Sequence, residues 1–349
     1  MNKITVSCAV LAAALVSAQS LDAKEFYQGK TINLVVGSSA GGGYDGYARF
    51  LARHWPGKIP GTPKFIVRNM PGAGSLKSTN YIYNIARKDG TEIAAIQNGI
   101  VFEPLFKALG KGKEAKFDPT KLSWIGAVTR ETAVMVVWHK TPFKAFKDLK
   151  GQRVLTGASG VTTSYAVFPR LMNATMGTNI RVITGYRGTS GIVLALERGE
   201  IHAMTGWGYG SLTSRKGQWL KDKKVRILVQ FGKRRHPEMP NVPLGSELTT
   251  TKVNRDVLEL ISARQEIGRP YVAPPNVPAA QMKTLRAGFQ GMMKDATFLK
   301  EAKRLRIEID SSTAARCLRV INQAFASPPE VVAKARKIMV SKKKRKNKK

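Results

Sequence analysis

The sequence predicts an α/β protein of two domains, each with a mainly parallel β-sheet flanked by helices. Its 349 residues exceed the roughly 100–200 residues of one typical domain. Segments rich in Val and Ile alternate with glycine-rich turns and with segments of helical periodicity, which is typical of parallel sheets with helices on both faces. Hydrophobic residues make up 43% of the chain, enough for a sizeable core.

Strand–loop–helix units recur along the chain. The predicted strands are 31–37, 64–68, 92–97, 134–138, 153–156, 180–184, 201–205 and 225–230. The predicted helices are 44–55, 75–85, 164–176, 192–197, 279–294, 296–303, 312–326 and 329–340. The helical segments space apolar residues three or four positions apart, whereas the strand segments are short and β-branched. Three prolines, Pro237, Pro240 and Pro243, interrupt the pattern and predict a surface loop.

The first 23 residues are typical of an export signal. Lys3 precedes an apolar run that is too short to cross a bilayer of about 30 Å, and small residues suited to cleavage follow. Cleavage would leave Cys317 as the lone cysteine, so no internal disulfide is expected. No later segment reaches the ~18 uninterrupted apolar residues of a transmembrane helix. We therefore expect an exported, soluble protein in the periplasm.

The chain is strongly basic, with a formal net charge of +35. Such a charge suits nucleic acid, an anionic surface or a small anion. Lys and Arg are spread along nearly the whole chain, which favours solvated faces over one binding stripe. The Lys-rich segment 341–349 is expected to be disordered, and it has no aromatic residue to stack on bases. A small organic anion is the expected partner, and nucleic acid is not.

Three loops between strands and helices carry the candidate chemistry. The loop at 38–45 (SSAGGGYD) opens a helix, whose free N–H groups and dipole attract anions, and its glycines allow close approach. It would equally serve as a plain tight turn. The loop at 70–75 (MPGAGS) has the same position after a strand, and the loop at 157–164 (GASGVTTS) offers hydroxyls for a ligand or for helix capping. Loops at the carboxyl ends of parallel strands converge on one crevice.

Catalytic patterns are poor. The four histidines are scattered, and no metal-ligand or nucleophile motif is present, so no catalytic residue, metal or cofactor is expected. Asp45 would act as a general base or, more simply, as a carboxylate that fixes the glycine loop or meets a polar ligand group. Cys317, beside two arginines, would be a nucleophile or an inert helix residue. A hydrolase or transferase using either residue remains the enzyme alternative.

An ordered set of short segments resembles the tripartite tricarboxylate transporter receptors, also called Bug-type periplasmic binding proteins. The segments are 29–36 (GKTINLVV), 40–45 (AGGGYD), 67–74 (VRNMPGAG), 86–90 (ARKDG), 117–119 (FDP), 157–164 (GASGVTTS), 185–189 (GYRGT), 198–201 (RGEI) and 241–243 (NVP). No single segment is decisive, but together they span roughly residues 25–330.

The resemblance implies a two-lobed, periplasmic-binding-protein-like fold of type II with the ligand in the cleft. Lobe 1 would comprise 24–124 and 240–340, and lobe 2 would comprise 125–239. It further implies a receptor that closes its lobes over a small carboxylate, such as a di- or tricarboxylate or an aromatic acid, and passes it to membrane transporter subunits. A receptor of the same fold that feeds a signalling system is the alternative. A monomer is expected.

The resemblance also assigns candidate ligand contacts by position. In lobe 1 they are Ser38, Ala40, Gly42, Gly43, Asp45, Gln97 and Asn98. In lobe 2 they are Ser159, Thr162, Thr163, Tyr186, Gly188 and Trp207. The sequence departs from the family at Trp207, where many relatives carry an acidic or amide residue. Its indole would either stack on a flat ligand or belong to the core.

Overall fold

The computed structural model describes residues 26–107, 114–161 and 163–340. The described residues form two lobes, each built on one β-sheet. The predicted export signal, the Lys-rich segment 341–349 and the candidate contact Thr162 lie outside the described residues.

The strands are named in chain order. They are β1 (Thr31–Val36), β2 (Lys64–Asn69), β3 (Glu92–Ala95), β4 (Ser123–Thr129), β5 (Ala133–Trp138), β6 (Arg153–Ala158), β7 (Asn179–Thr184), β8 (Ala203–Gly208), β9 (Val225–Phe231), β10 (Gly268–Ala273) and β11 (Ser312–Thr313). All eight predicted strands are present. Three further strands, β4, β10 and the short β11, were not predicted from the sequence.

The helices are named in the same way. They are α1 (Gly43–His54), α2 (Leu76–Asn84), α3 (Glu103–Phe106), α4 (Ser164–Met176), α5 (Gly188–Glu197), α6 (Tyr209–Lys221), α7 (Lys252–Ser262), α8 (Ala279–Met293), α9 (Ala296–Arg304), α10 (Ala314–Phe325) and α11 (Pro329–Met339). The eight predicted helices are present, and α3, α6 and α7 are additional. Side chains cap three of them: Thr251 begins α7, Asp295 begins α9 and Thr313 begins α10.

The first sheet has the strand order β11-β4-β10-β3-β1-β2. β1 lies parallel to β2 and β3, while β10 runs antiparallel to β3 and β4. Helices cover both faces, so β1 is buried on both: Leu34 and Val36 pack into one apolar cluster and Val35 into another. The carboxyl ends of β1 and β3 therefore lie side by side.

The second sheet has the strand order β7-β6-β8-β5-β9. β6 lies parallel to β7 and β8, and β5 pairs antiparallel with β8 and β9. Both sheets are thus mixed. The predicted parallel arrangement holds for the strands that precede the candidate loops, whereas the strands near the crossings between lobes pair antiparallel.

The chain crosses between the lobes just after β4. Because β4 pairs with β10 in the first sheet, the first lobe extends to Thr129 instead of ending at residue 124. After β9, a bridge between Gln230 and Leu244 keeps the following segment on the second sheet beyond the boundary expected at 239. α8 and α10 then pack on β4 of the first sheet, and α11 contacts α4 of the second lobe.

The described ranges contain no helix with both the length and the apolar character that crossing a membrane requires.

Candidate functional site

A cavity of about 130 Å³ lies between the two lobes. Residues of the loops after β1 and β3 form one wall, and residues of the loops after β6 and β7 form the opposite wall. Parallel strands present their carboxyl ends at one edge of each sheet, which brings loops far apart in sequence to the same place. The predicted crevice is therefore present.

Four helices begin at this cavity: α1 from the first lobe, and α4, α5 and α6 from the second lobe. α1 begins at Gly43, α4 at Ser164 and α5 at Gly188, and all three residues line the cavity. α6 contributes Gly208, which precedes its first residue, and Ser211 in its first turn. Because the first N–H groups of a helix lack acceptors within it, each start carries a partial positive charge. The cavity is thus lined by backbone donors from both lobes.

Asp45 holds the glycine loop in place from within α1. Its carboxylate accepts hydrogen bonds from Gly41 N (2.8 Å), Arg49 Nε (3.0 Å) and Asn69 Nδ2 (2.9 Å). Gly41 has φ +72°, a left-handed conformation that glycine adopts without strain. Burial acts to raise the pKa of Asp45, but these hydrogen bonds outweigh it and the pKa is lowered. Asp45 therefore stabilises the loop and does not line the cavity.

Ser75 joins the carboxyl ends of β1 and β3. Its hydroxyl donates to Gly37 O (2.8 Å) and accepts from Gln97 N (3.0 Å). A Cβ at Gly37 would lie 2.2 Å from the Ser75 Oγ, so only glycine allows this approach. Ser75 directly precedes α2, but its side chain makes no capping bond to that helix and instead links the two strands. The loop it belongs to supplies Gly74 to the cavity wall.

The second wall depends on a close contact between β8 and α4. Gly206 has φ +79°, and a Cβ there would lie 2.3 Å from the Ser164 carbonyl oxygen. The Thr163 hydroxyl donates to Gly160 O (2.8 Å), which fixes the turn before α4. These contacts set the start of α4 at the cavity.

A buried ion pair lies beside the glycine loop. Arg269 Nη2 donates to Glu131 Oε1 (2.9 Å) and to Ser211 Oγ (3.0 Å), and the Arg269 guanidinium carbon is 4.8 Å and 4.2 Å from the ring centroids of Tyr44 and Tyr47. Burial acts to lower the pKa of Arg269, but attraction to Glu131 and to the two tyrosines raises it overall. Burial raises the pKa of Glu131, and Arg269 opposes that rise.

Two further arginines line the cavity. Arg264 is fully buried, its Nε donates to Ile261 O (3.0 Å), and burial lowers its pKa to about 10. Arg187 is exposed at the start of α5. A fourth arginine, Arg215 of α6, reaches across from the second lobe and its Nη2 donates to the carbonyl of Gly41. The site is therefore more charged than the sequence analysis expected.

The structure brings most of the predicted contact residues to the cavity wall. They are Ser38, Ala40, Gly42, Gly43, Gln97, Asn98, Ser159, Thr163 and Gly188. The Asn98 side chain is already engaged, since its Nδ2 donates to Arg264 O (3.0 Å) and Gln265 Oε1 (3.1 Å). Ser38 Oγ, in contrast, is buried without a hydrogen-bond partner among the described residues. Ligand contact by these residues stays a prediction.

Three predicted contacts lie elsewhere. Asp45 is the first of them, since it holds the glycine loop. Tyr186 is the second, and it packs against Gly157 and Gly191 in the apolar cluster of the second lobe. Trp207 is 0% exposed, and its ring lies 6.4 Å from that of Trp219, so the indole belongs to the core and cannot stack on a ligand. We replace the expected ligand contacts at these three positions with structural roles.

Cys317, the nucleophile of the enzyme alternative, is buried, and burial raises the pKa of its thiol to about 12. A thiol of this kind is not a nucleophile near neutral pH. With Asp45 committed to the glycine loop, neither residue of that alternative is placed for catalysis.

The charged residues of the site were missed because they are remote from the glycine loops in sequence. Glu131 and Arg269 are 138 positions apart and lie in segments that show no loop motif. The sequence signal that could have revealed Arg269 is a basic residue followed by proline inside the otherwise apolar segment 267–273. Buried charges are rare unless paired, so such an arginine indicates a specific partner.

Comparison with known proteins shows the family. The family model described as the tripartite tricarboxylate transporter family receptor matches residues 55–335. The chain is 27% identical over 252 residues to the "UPF0065 protein in gbd 5'region" of Cupriavidus necator, covering 70% of this chain and 72% of the relative. The periplasmic binding protein BugD shares the fold with a TM-score of 0.69 at 20% identity, over 90% of this chain and 99% of BugD.

A second solved structure is MatC from Rhodopseudomonas palustris with bound malate. Its TM-score is 0.65 at 16% identity, over 89% of this chain and 99% of MatC. These structures confirm the two-lobed fold of type II, and the family match covers most of the chain. The chain belongs to the tripartite tricarboxylate transporter receptors, a family of periplasmic binding proteins.

Proposed function

We propose that this protein captures a small carboxylate in the cavity between its lobes, in the periplasm, and delivers it to a membrane transporter of the tripartite tricarboxylate type. The observation that carries the proposal is the convergence of four helix starts, from both lobes, on one cavity. The family description names a transporter receptor, which favours transport over signalling.

The charge of the site suits an anion. Each helix start contributes about half a positive charge near its first turn. Three arginines and one glutamate line the cavity, so the side chains add a formal +2 (3 − 1). A carboxylate placed against the glycine loop would be neutralised by backbone N–H groups. The buried hydroxyl of Ser38, which has no partner within the described part of the chain, would supply a further donor.

The size of the cavity restricts the ligand. At about 130 Å³ it is smaller than the roughly 300–1,000 Å³ of pockets that hold drug-sized molecules. A short-chain acid has a size that suits this cavity. MatC, which shares the fold, is described with bound malate, a small dicarboxylate.

Ligand capture is expected to shift the equilibrium between open and closed lobes. A ligand that contacts donors on both walls binds the closed form better than the open form, and this difference drives closure. The transporter would then recognise the closed receptor. The expectation of a monomer stays a prediction, for which light scattering of the purified protein is the measurement.

Calorimetric titration of the mature protein with a panel of mono-, di- and tricarboxylates and aromatic acids tests the proposal. A ligand that binds only the folded state at 100 times its Kd stabilises that state by about 2.7 kcal/mol, which a thermal shift detects. A broad panel in which no acid binds would contradict the proposal.

A matched pair of glycine variants locates the binding site. A Cβ at Gly43 would lie 2.7 Å from Ser211 Oγ and 3.2 Å from Arg269 Nη1, so Gly43→Ala should weaken binding by at least about tenfold. A Cβ at Gly46, three residues further along α1, meets nothing within 4 Å. Gly46→Ala should therefore bind like the wild type. Equal affinities for both variants would place the ligand elsewhere.

A further inference from the structure

The ion pair of Glu131 and Arg269 is held in place from several sides. Arg269 lies in β10 with φ +54°, a left-handed conformation that a non-glycine residue adopts only under strain. Its guanidinium is 4% exposed and lies between two tyrosine rings. A strained, buried cation is retained only where surrounding contacts determine its position, and such residues concentrate at functional sites.

Two glycines leave the space that Glu131 occupies. A Cβ at Gly208 would lie 2.0 Å from Glu131 Oε1, and a Cβ at Gly268 would lie 2.8 Å from Glu131 Cβ. Gly208 precedes α6, and Gly268 begins β10, so the carboxylate is fixed between the two lobes. Its position at the cavity wall is therefore built by residues on three separate segments.

One oxygen of Glu131 is engaged and the other is open. Oε1 accepts from Arg269 Nη2 (2.9 Å), whereas Oε2 has no donor among the described residues. The side chain is 12% exposed, and Glu131 lines the cavity. An ionised carboxylate accepts through both oxygens. The open oxygen is thus available to a hydrogen-bond donor of the ligand.

We propose that Glu131 determines ligand specificity by accepting a hydrogen bond from a hydroxyl group of the ligand, so that the receptor selects hydroxycarboxylates. This inference rests on the proposed capture of a carboxylate. Arg269 is the positioning residue, since it holds Glu131 Oε1, and Glu131 lines the cavity. The Gly43 Cβ position is 3.2 Å from Arg269 Nη1, so Glu131 lies close to the expected carboxylate site at the start of α1.

The charges of the cavity favour a neutral donor over an ammonium group. Arg187, Arg264 and Arg269 line the same cavity and would repel a cation placed beside Glu131. Arg269 already neutralises much of the charge on Glu131 through their hydrogen-bonded contact. A hydroxyl group donates to Oε2 without adding charge, and a second carboxylate at the same point would be repelled by Glu131.

Matched pairs of acids test the inference on the mature wild-type protein. The pairs are succinate and malate, propionate and lactate, and phenylacetate and mandelate, each differing by one hydroxyl group beside a carboxylate. A hydrogen bond to a charged group is expected to give the hydroxy acid about 10–100-fold tighter binding in calorimetric titration. Aspartate, which carries an ammonium group at that place, should bind more weakly than malate.

The outcomes separate the two proposals. If acids bind but the members of each pair bind equally, the role of Glu131 is wrong while carboxylate capture stands. If aspartate binds more tightly than malate, the donor that Glu131 selects is an ammonium group and the inference is overturned. If no acid of any pair binds, the proposed capture of small carboxylates fails, and the inference fails with it.

Variants assign the preference to Glu131. Glu131→Gln should reduce the preference for the hydroxy acid to less than about threefold, because a neutral amide is a weaker acceptor. Glu238→Gln makes the same charge change at an exposed residue outside the cavity and should keep the preference. Gly208→Ala displaces the carboxylate by another route, and it should also lower the preference. An unchanged preference in both Glu131→Gln and Gly208→Ala would refute the assignment.

Discussion

Asp45 is predicted to stabilise the glycine loop and thereby the ligand site, and Asp45→Asn tests this. The carboxylate is 3% exposed and accepts from Gly41 N, Arg49 Nε and Asn69 Nδ2. An asparagine keeps one acceptor oxygen and turns an NH₂ group toward donors. The variant therefore loses at least one hydrogen bond to a charged group and leaves a donor unpaired, which costs about 2–4 kcal/mol.

Urea denaturation measures this loss as a lower midpoint at an unchanged slope. Calorimetry on the same variant should show weaker ligand binding, since the loop that begins α1 is no longer fixed. Asp256→Asn is the control: it makes the same charge change where Asp256 pairs with the exposed Lys252 across one helical turn. A destabilisation by Asp45→Asn no larger than that of Asp256→Asn would refute the reasoning.

The pH dependence gives an independent check. The pKa of Asp45 is lowered in the folded state, so its stabilisation is present above the unfolded-state pKa of about 3.9 and is lost as the pH falls through the folded-state pKa. The difference in unfolding free energy between wild type and Asp45→Asn should therefore persist from pH 7 to pH 5. It should shrink only below about pH 4.

Three further predictions concern residues around the site and in the core. Gly206→Ala should lower the unfolding free energy by about 2–4 kcal/mol in urea denaturation, since its Cβ would lie 2.3 Å from the Ser164 carbonyl. Trp207→Phe should lower the unfolding free energy by about 1–3 kcal/mol and leave ligand affinity unchanged, because the indole is fully buried. A loss of affinity in this variant would show that Trp207 contacts the ligand. The Cys317 thiol should react with a thiol reagent only after denaturation, and rapid labelling of the folded protein would contradict its burial.

Most of the fold was accessible from the sequence because its strands and helices have strong periodicity. The exceptions have physical causes. In β10 a glycine, an arginine and a proline interrupt the apolar residues, and the strand exists because β3 and β4 pair with it on either side. α6 contains few apolar residues, with Leu212 and Trp219 facing the core, so its periodicity is weak.

The candidate site was accessible only in part, for a related reason. A glycine-rich loop between a strand and a helix can be recognised from a few neighbouring residues, because the backbone geometry there requires glycine. Gly43 and Gly188 were therefore expected at the site. The ion pair of Glu131 and Arg269 depends on how two distant crossings of the chain approach each other. Trp207 was ambiguous because an aromatic residue after a strand suits both core and ligand, and only the packing of Trp219 against it decides.

The contact from Arg215 of α6 to the carbonyl of Gly41 has a consequence for how the two lobes open. This contact joins the two lobes through protein groups alone. Part of the free energy that favours closed lobes therefore does not come from a ligand. Such a bridge favours the closed arrangement of the lobes even without a ligand. If the protein captures a ligand as proposed, opening of the lobes requires this protein–protein bridge to break as well as the contacts of the ligand.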